Sequence, residues 1–265
     1  MSPSQPGRAP VRRLQVPPFG LEWYREAGGG HNRGVSFAPP EGQGPLRRER
    51  LRTARLYFVC DARPGGVDPE PLLRAALTGG VDIIQLREKN LGRAEIERAA
   101  DTFRRVADNY SALFIVNDDP DLARACDADG VHVGQDDASV EEARAVLGSQ
   151  AIIGQSTHSE EQIAAAEERD IDYFAVGPVW ETPTKPGRAA VGLELVSHAA
   201  EVATKPFFAI GGIGPLNAGE VVTAGAQRMC VVRAIRDAPH PQAAAEALRR
   251  AFEVEGSRRG VAPGG

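Results

Sequence analysis

Eight short apolar runs, each closing on a polar or glycine-rich tip, follow one another between Leu56 and Ile235. They are Leu56–Asp61, Asp82–Lys89, Ala112–Asp118, Gly130–Gln135, Ala151–Ser156, Tyr173–Val179, Pro206–Ile213 and Gln227–Ile235. Alanine-rich segments of helical character separate them. Strand and helix alternating eight times predicts a single closed parallel (β/α)8 barrel, the TIM-barrel architecture. The runs are rich in Val, Ile and Phe, which suits strands covered on both faces. Assigned to residues 51–256, the barrel is small for its kind, so its loops are brief and its site must be built from strand tips. Such barrels do their chemistry at the C-terminal ends of the strands. Read in order, those tips are QLREK, ND, GQDD, QS, TPTK, GGI and VR.

The flanks differ from this pattern. Residues 1–50 hold eight prolines, eight glycines and eight arginines without a sustained hydrophobic period. They are expected to form a flexible N-terminal extension, because too little apolar surface is present to offset the entropy of ordering. One aromatic cluster within it, FGLEWY at 19–24, suggests a segment that docks on the barrel or on a neighbouring subunit. Residues 257–265 read as a disordered tail.

A net charge of −5 gives no whole-molecule case for nucleic acid, and no apolar run is long enough to span a bilayer. Cys60, Cys126 and Cys230 are odd in number and lie in or near apolar segments, as small buried hydrophobes of a reducing compartment do. The balance favours a cytoplasmic enzyme. Of 31 basic residues only Lys89, Lys185 and Lys205 are lysines, and two of these fall at strand tips or in the loops after them.

Polar residues after a strand can simply cap the next helix. Pro120 suits a first helical position and makes Asp119 the N-cap. Ser139 with Glu142, and Ser159 with Gln162, fit capping boxes. This assignment leaves Asn117, Asp118, Asp137 and Ser156 without a capping duty. Two spare carboxylates on adjacent strands suggest a hard divalent cation, and magnesium is commonly held by one or two carboxylates plus substrate phosphates. Period two along a strand puts Gln85, Arg87 and Lys89 on one side, and cations beside magnesium make a diphosphate clamp. Gly211-Gly212-Ile213-Gly214 and Val232-Arg233 end the last two runs, where barrels frequently bind phosphate through backbone N–H groups. His132 lies within the fourth run and reads as barrel filling, and His158 as a loop residue.

Taken together, QLREK at 85–89, NDD at 117–119, DGVHVGQDD at 129–137, IIGQSTHS at 152–159, GPVWETPTKPG at 177–187, AIGGI at 209–213 and VVRAI at 231–235 resemble the thiamine-phosphate synthase family. The stretches stand in the family's order over residues 55–236, and the first 50 residues fall outside the resemblance. The resemblance implies that a hydroxymethylpyrimidine diphosphate is joined to a thiazole phosphate with release of diphosphate. It implies that Gln85, Arg87, Lys89, Asn117, Ser156 and Lys185 bind the pyrimidine diphosphate, with Arg87, Lys89, Ser156 and Lys185 catalytic. Asp118 and Asp137 would ligate Mg2+. Thr182, Thr184 and the backbone around Gly212, Val232 and Arg233 would bind the thiazole phosphate. The partners expected are two small phosphorylated molecules, with no nucleic acid and no membrane, for a chain acting alone or as a homo-oligomer. Three other readings stay open: a thiazole tautomerase-like isomerase of the same fold, a different phosphate-binding isomerase barrel, and a non-catalytic phosphate-binding barrel.

Overall fold

The computed structural model describes residues 42–182, 187 and 189–260, with side chains to residue 253. Eight parallel strands close on themselves in sequence order: β1 Leu56–Cys60, β2 Ile83–Leu86, β3 Leu113–Asn117, β4 Gly130–Val133, β5 Ile152–Thr157, β6 Tyr173–Val176, β7 Phe207–Ile210 and β8 Met229–Val231. β1 pairs with β8 as well as β2, with Tyr57 opposite Cys230 and Ile83. Each strand lies on one of the eight apolar runs, so the expected barrel is present.

Between the strands run α2 (Glu70–Thr78), α3 (Arg93–Tyr110), α4 (Pro120–Ala125), α5 (Val140–Leu147), α6 (Glu160–Glu168), α7 (Gly192–Val202) and α8 (Ala218–Thr223); α1 (Gln43–Thr53) precedes them, and α9 (Arg233–Arg236) and α10 (Pro241–Gly260) follow β8. Alternate strand residues serve two cores. Phe58, Ile84, Phe114, Val131, Ile153 and Phe174 face the helices, whereas Tyr57, Ile83, Leu113, Ile115, Tyr173 and Phe208 fill the barrel.

The flexible extension drawn to residue 50 is corrected at its end. Residues 43–50 are helical, in α1, and Leu51 and Ala54 at its C-terminal end join the interior cluster. The arginines that made this stretch look like solvated chain are what anchor it. Arg47 Nε donates to Asp129 Oδ1 at 2.8 Å and Arg48 Nε to Asp172 Oδ1 at 2.6 Å. At the other end α10 runs through Gly260, past the start of the expected tail. FGLEWY lies outside the described residues.

Three aspartates organise the lower rim. Asp82, Asp129 and Asp172 each stand one residue before an even-numbered strand and accept a backbone N–H from the preceding odd one: Leu56, Phe114 and Ile153 at 3.0, 2.9 and 2.8 Å. Arginines from the helices then cover the carboxylates: Arg249 on Asp82, Arg47 and Arg104 on Asp129, Arg48 and Arg144 on Asp172.

Candidate active site

The other end of the barrel opens into a cavity of about 410 Å³, a size suited to a small-molecule ligand. Gln85, Arg87, Asn117 and Ser156 line one side of it, and Thr182, Gly212, Val232 and Arg233 also contribute. The inward register of β2 continues past its end, so Gln85 and Arg87 reach the same space as expected from period two. Gly211 and Gly212 take positive φ (103° and 69°), and a Cβ on either would lie 2.4 Å from Pro178 or 2.7 Å from Trp180. Only glycine lets this backbone turn so closely over the mouth. The guanidinium of Arg233 is engaged with Asp237 at 2.9 Å. Of the residues named for phosphate binding, Thr184 and Lys185 lie outside the described residues.

Beside the cavity the sequence brings a cation and two carboxylates together. Lys89 Nζ lies 3.2 Å from Asp118 Oδ2. Asp118 faces the Asp137 carboxylate, and it sits at a positive φ of 66° that aspartate tolerates better than most residues. Asp137 is fixed in turn by accepting the Gly134 N–H at 2.9 Å. Burial, and then the neighbouring Asp137 carboxylate, push the Asp118 carboxyl above its ordinary range, while Lys89 opposes them. Two carboxylates beside a single lysine leave net negative charge that a further cation would reduce. Among the described residues no group of three or more His, Cys, Asp or Glu could hold a metal. An oxygen-only pair suits magnesium, which keeps waters and takes substrate phosphates as further ligands.

The cap assignments that isolated these residues agree with the structure. Asp119 Oδ1 accepts the Leu122 N–H, and Ser139 with Glu142 forms a reciprocal capping box. Ser159 also caps its helix, but Gln162 reaches back to the His158 N–H instead of closing a box. His158 is tied further to the Gly177 carbonyl through Nδ1.

Sequence reasoning undervalued the floor of the cavity. His132 does fill the barrel, yet it also lines the cavity, and its Nε2 lies 3.0 Å from Ser156 Oγ. Its Nδ1 lies 3.1 Å from the Tyr173 hydroxyl, which lies 3.0 Å from that of Tyr57. Gln85 Nε2 donates to Tyr57 at 2.7 Å. A signal was available: two tyrosines at inward positions of fully buried strands need partners for their hydroxyls.

The family model for thiamine monophosphate synthase matches residues 56–235, from the first strand to α9. The chain belongs to this family. It is 52% identical over 210 residues to the thiamine-phosphate synthase of Saccharopolyspora erythraea, covering 76% of this chain and 94% of that one. The thiamine-phosphate synthase of Thermobifida fusca is 49% identical over 205 residues, covering 77% and 94%. Among solved structures, thiamine phosphate pyrophosphorylase from Pyrococcus furiosus superposes with a TM-score of 0.70 at 35% identity, over 78% of this chain and 98% of that one. The family match begins at β1, so α1 precedes it.

Proposed function

We propose that this protein condenses 4-amino-2-methyl-5-(diphosphooxymethyl)pyrimidine with 4-methyl-5-(2-phosphooxyethyl)thiazole, giving thiamine phosphate and diphosphate. The observation that carries the reading is the joining of Lys89 and the Asp118–Asp137 pair to a cavity lined by Gln85, Arg87, Asn117 and Ser156. That arrangement offers a charged station for a diphosphate beside a largely apolar pocket, with a few hydrogen-bonding groups, for a flat heterocycle.

In this reading Gln85, Asn117 and Ser156 orient the aminopyrimidine so that its methylene carbon faces the second substrate. Arg87, Lys89 and Lys185 hold the diphosphate in position as the carbon–oxygen bond breaks. The electron pair of that bond leaves with the diphosphate, and the aminopyrimidine ring spreads the positive charge left on the methylene. The thiazole nitrogen then supplies the pair for the new carbon–nitrogen bond. No protein nucleophile or strong base takes part, so the rate comes from positioning and from charges already in place. Asp118 and Asp137 would hold magnesium, which when bound offsets charge gathering on the departing diphosphate. Thr182, Thr184 and the backbone at Gly212 and Val232–Arg233 anchor the thiazole phosphate, which undergoes no chemistry. Both substrates are small, water-soluble and anionic, and the reading places the reaction in the cytoplasm.

The test is diphosphate release by the purified chain with each substrate alone, with both, and with or without magnesium. Release only with both substrates and magnesium is expected. Release from the pyrimidine diphosphate at full rate without the thiazole, or no release at all, refutes the reading.

A further inference from the structure

We propose that the buried hydroxyls of Tyr57 and Tyr173, with His132, form a directional hydrogen-bond relay that sets which of Gln85 and Ser156 donates and which accepts in the cavity. Tyr57 and Tyr173 are then positioning residues for the pyrimidine substrate, a statement that rests on the function proposed above.

The chain of contacts is continuous. Gln85 Nε2 donates to the Tyr57 hydroxyl at 2.7 Å, Tyr57 and Tyr173 meet at 3.0 Å, Tyr173 meets His132 Nδ1 at 3.1 Å, and His132 Nε2 meets Ser156 Oγ at 3.0 Å. Each hydroxyl has one proton, and a neutral imidazole has one N–H. Burial pushes both tyrosine hydroxyls well above their ordinary range, so each keeps its proton. For a neutral His132, with each buried hydroxyl proton satisfied within the chain, the direction of the first bond sets the rest. Tyr57 accepts from the amide and gives its own proton to Tyr173, and Tyr173 gives its proton to Nδ1. His132 carries its proton on Nε2 and donates to Ser156 Oγ. Ser156 is left with a proton to offer the cavity, while Gln85 presents its carbonyl oxygen.

Reversing one link reverses them all, making Ser156 an acceptor and Gln85 a donor. An aminopyrimidine carries an amino donor beside a ring-nitrogen acceptor, so only one direction matches it. The relay is also costly to build by accident. Tyr173 stacks on His132 at 5.5 Å between ring centroids. A Cβ at position 154 would lie 2.1 Å from Tyr173 Cζ, so Gly154 is what admits the ring.

The experiment is ¹⁵N NMR of the full chain labelled at histidine, with His132 assigned from His132→Asn, alongside steady-state kinetics. Wild type should show His132 as the neutral Nε2–H tautomer. Tyr173→Phe and Tyr57→Phe should mix the two tautomers and raise the KM for the pyrimidine diphosphate by up to about tenfold, as for one lost neutral hydrogen bond, leaving the thiazole KM unchanged. An Nδ1–H tautomer in wild type overturns the proposal without recourse to any variant. So does an unchanged tautomer in both folded variants, or an equal rise in both KM values. Absence of wild-type turnover would refute the proposed function instead, a result separate from the tautomer measurement.

Discussion

The two ends of this barrel handle charge in opposite ways. At the lower end every strand-leading aspartate is matched: Asp129 alone receives the Phe114 N–H, Arg47 at 2.8 Å and Arg104 at 3.0 Å, with the Arg47 and Asp129 side chains 9% and 7% exposed. At the upper end Asp118 faces another carboxylate, and Lys89 is more than half exposed beside it. The lower end spends its charges on holding strands in register. The upper end sets two carboxylates against one largely exposed lysine, a net negative charge that a cation would offset. Holding the fold and, on the function proposed above, performing the chemistry thus fall to opposite ends of the same strands.

Breaking the lower end should give the largest effect on stability. Asp129→Ala strands Arg47 as a buried unpaired charge and should cost about 3–5 kcal/mol, measured by urea unfolding, with the kcat of the remaining folded enzyme unchanged. A loss under 1 kcal/mol, roughly the worth of an exposed pair, would mean that the lower rim is no anchor. Asp118→Asn and Asp137→Asn should do the reverse. Turnover should fall sharply, by about a hundredfold if a hydrogen-bonded charge worth some 3 kcal/mol is lost, with partial rescue at high magnesium. Stability should hold or rise. The sign follows from the raised carboxyl: the neutral form of Asp118 is favoured in the folded state, so its relative contribution is fullest below the ordinary aspartate range and is lost as pH climbs through the raised value. Asp118→Asn should therefore be more stable than wild type near neutral pH, read as a higher midpoint of thermal unfolding. Full activity of both variants at limiting magnesium would remove them from the site.

Thr182→Ala tests the division within the upper end. It should raise the thiazole KM by about ten- to a hundredfold, the worth of a hydrogen bond to a charged phosphate, with kcat nearly intact. Lys185→Ala should instead lower kcat, because charge on the diphosphate is greatest in the transition state. An effect of Thr182→Ala on kcat alone would show that the two phosphate stations are wrongly divided. The smallest effect is expected from removing residues 1–41, which should leave activity within a few-fold. Removing 1–50 should not be tolerated, since it takes Arg47 and Arg48 from the lower rim. Equal behaviour of the two truncations would break the contrast drawn between the ends.

Alternation of apolar runs revealed the barrel because buried parallel strands have few other ways to look. Subtracting helix caps isolated Asn117, Asp118, Asp137 and Ser156, because a cap has a fixed spacing that chemistry does not share. α1 stayed hidden for a physical reason. Its apolar stripe is thin, and beside Leu51 and Ala54 its hold on the barrel comes from arginines whose partners lie up to 124 residues away in sequence. A local window sees only charge and proline. The strand-leading aspartates in VDIIQ, ADGVH and IDYFA were legible as a repeated placement, but each also looks like an ordinary loop residue. The Tyr57–Tyr173–His132 floor joins β1, β6 and β4, so it exists only once the sheet has closed.

The three aromatic rings inside the barrel have a further meaning. Tyr57 and Tyr173 each set an edge against Phe208, at 5.3 and 5.5 Å between centroids, and α1 closes the space beneath them. Among the described residues the cavity is consequently closed at the α1 end and open at the other. Gln85 and Ser156 are buried, whereas Gly212 is exposed, so a molecule held at the former sits deeper than one held at the glycine turn. On the function proposed here, the expected order of entry is pyrimidine first and thiazole second, read from product-inhibition patterns in steady-state kinetics.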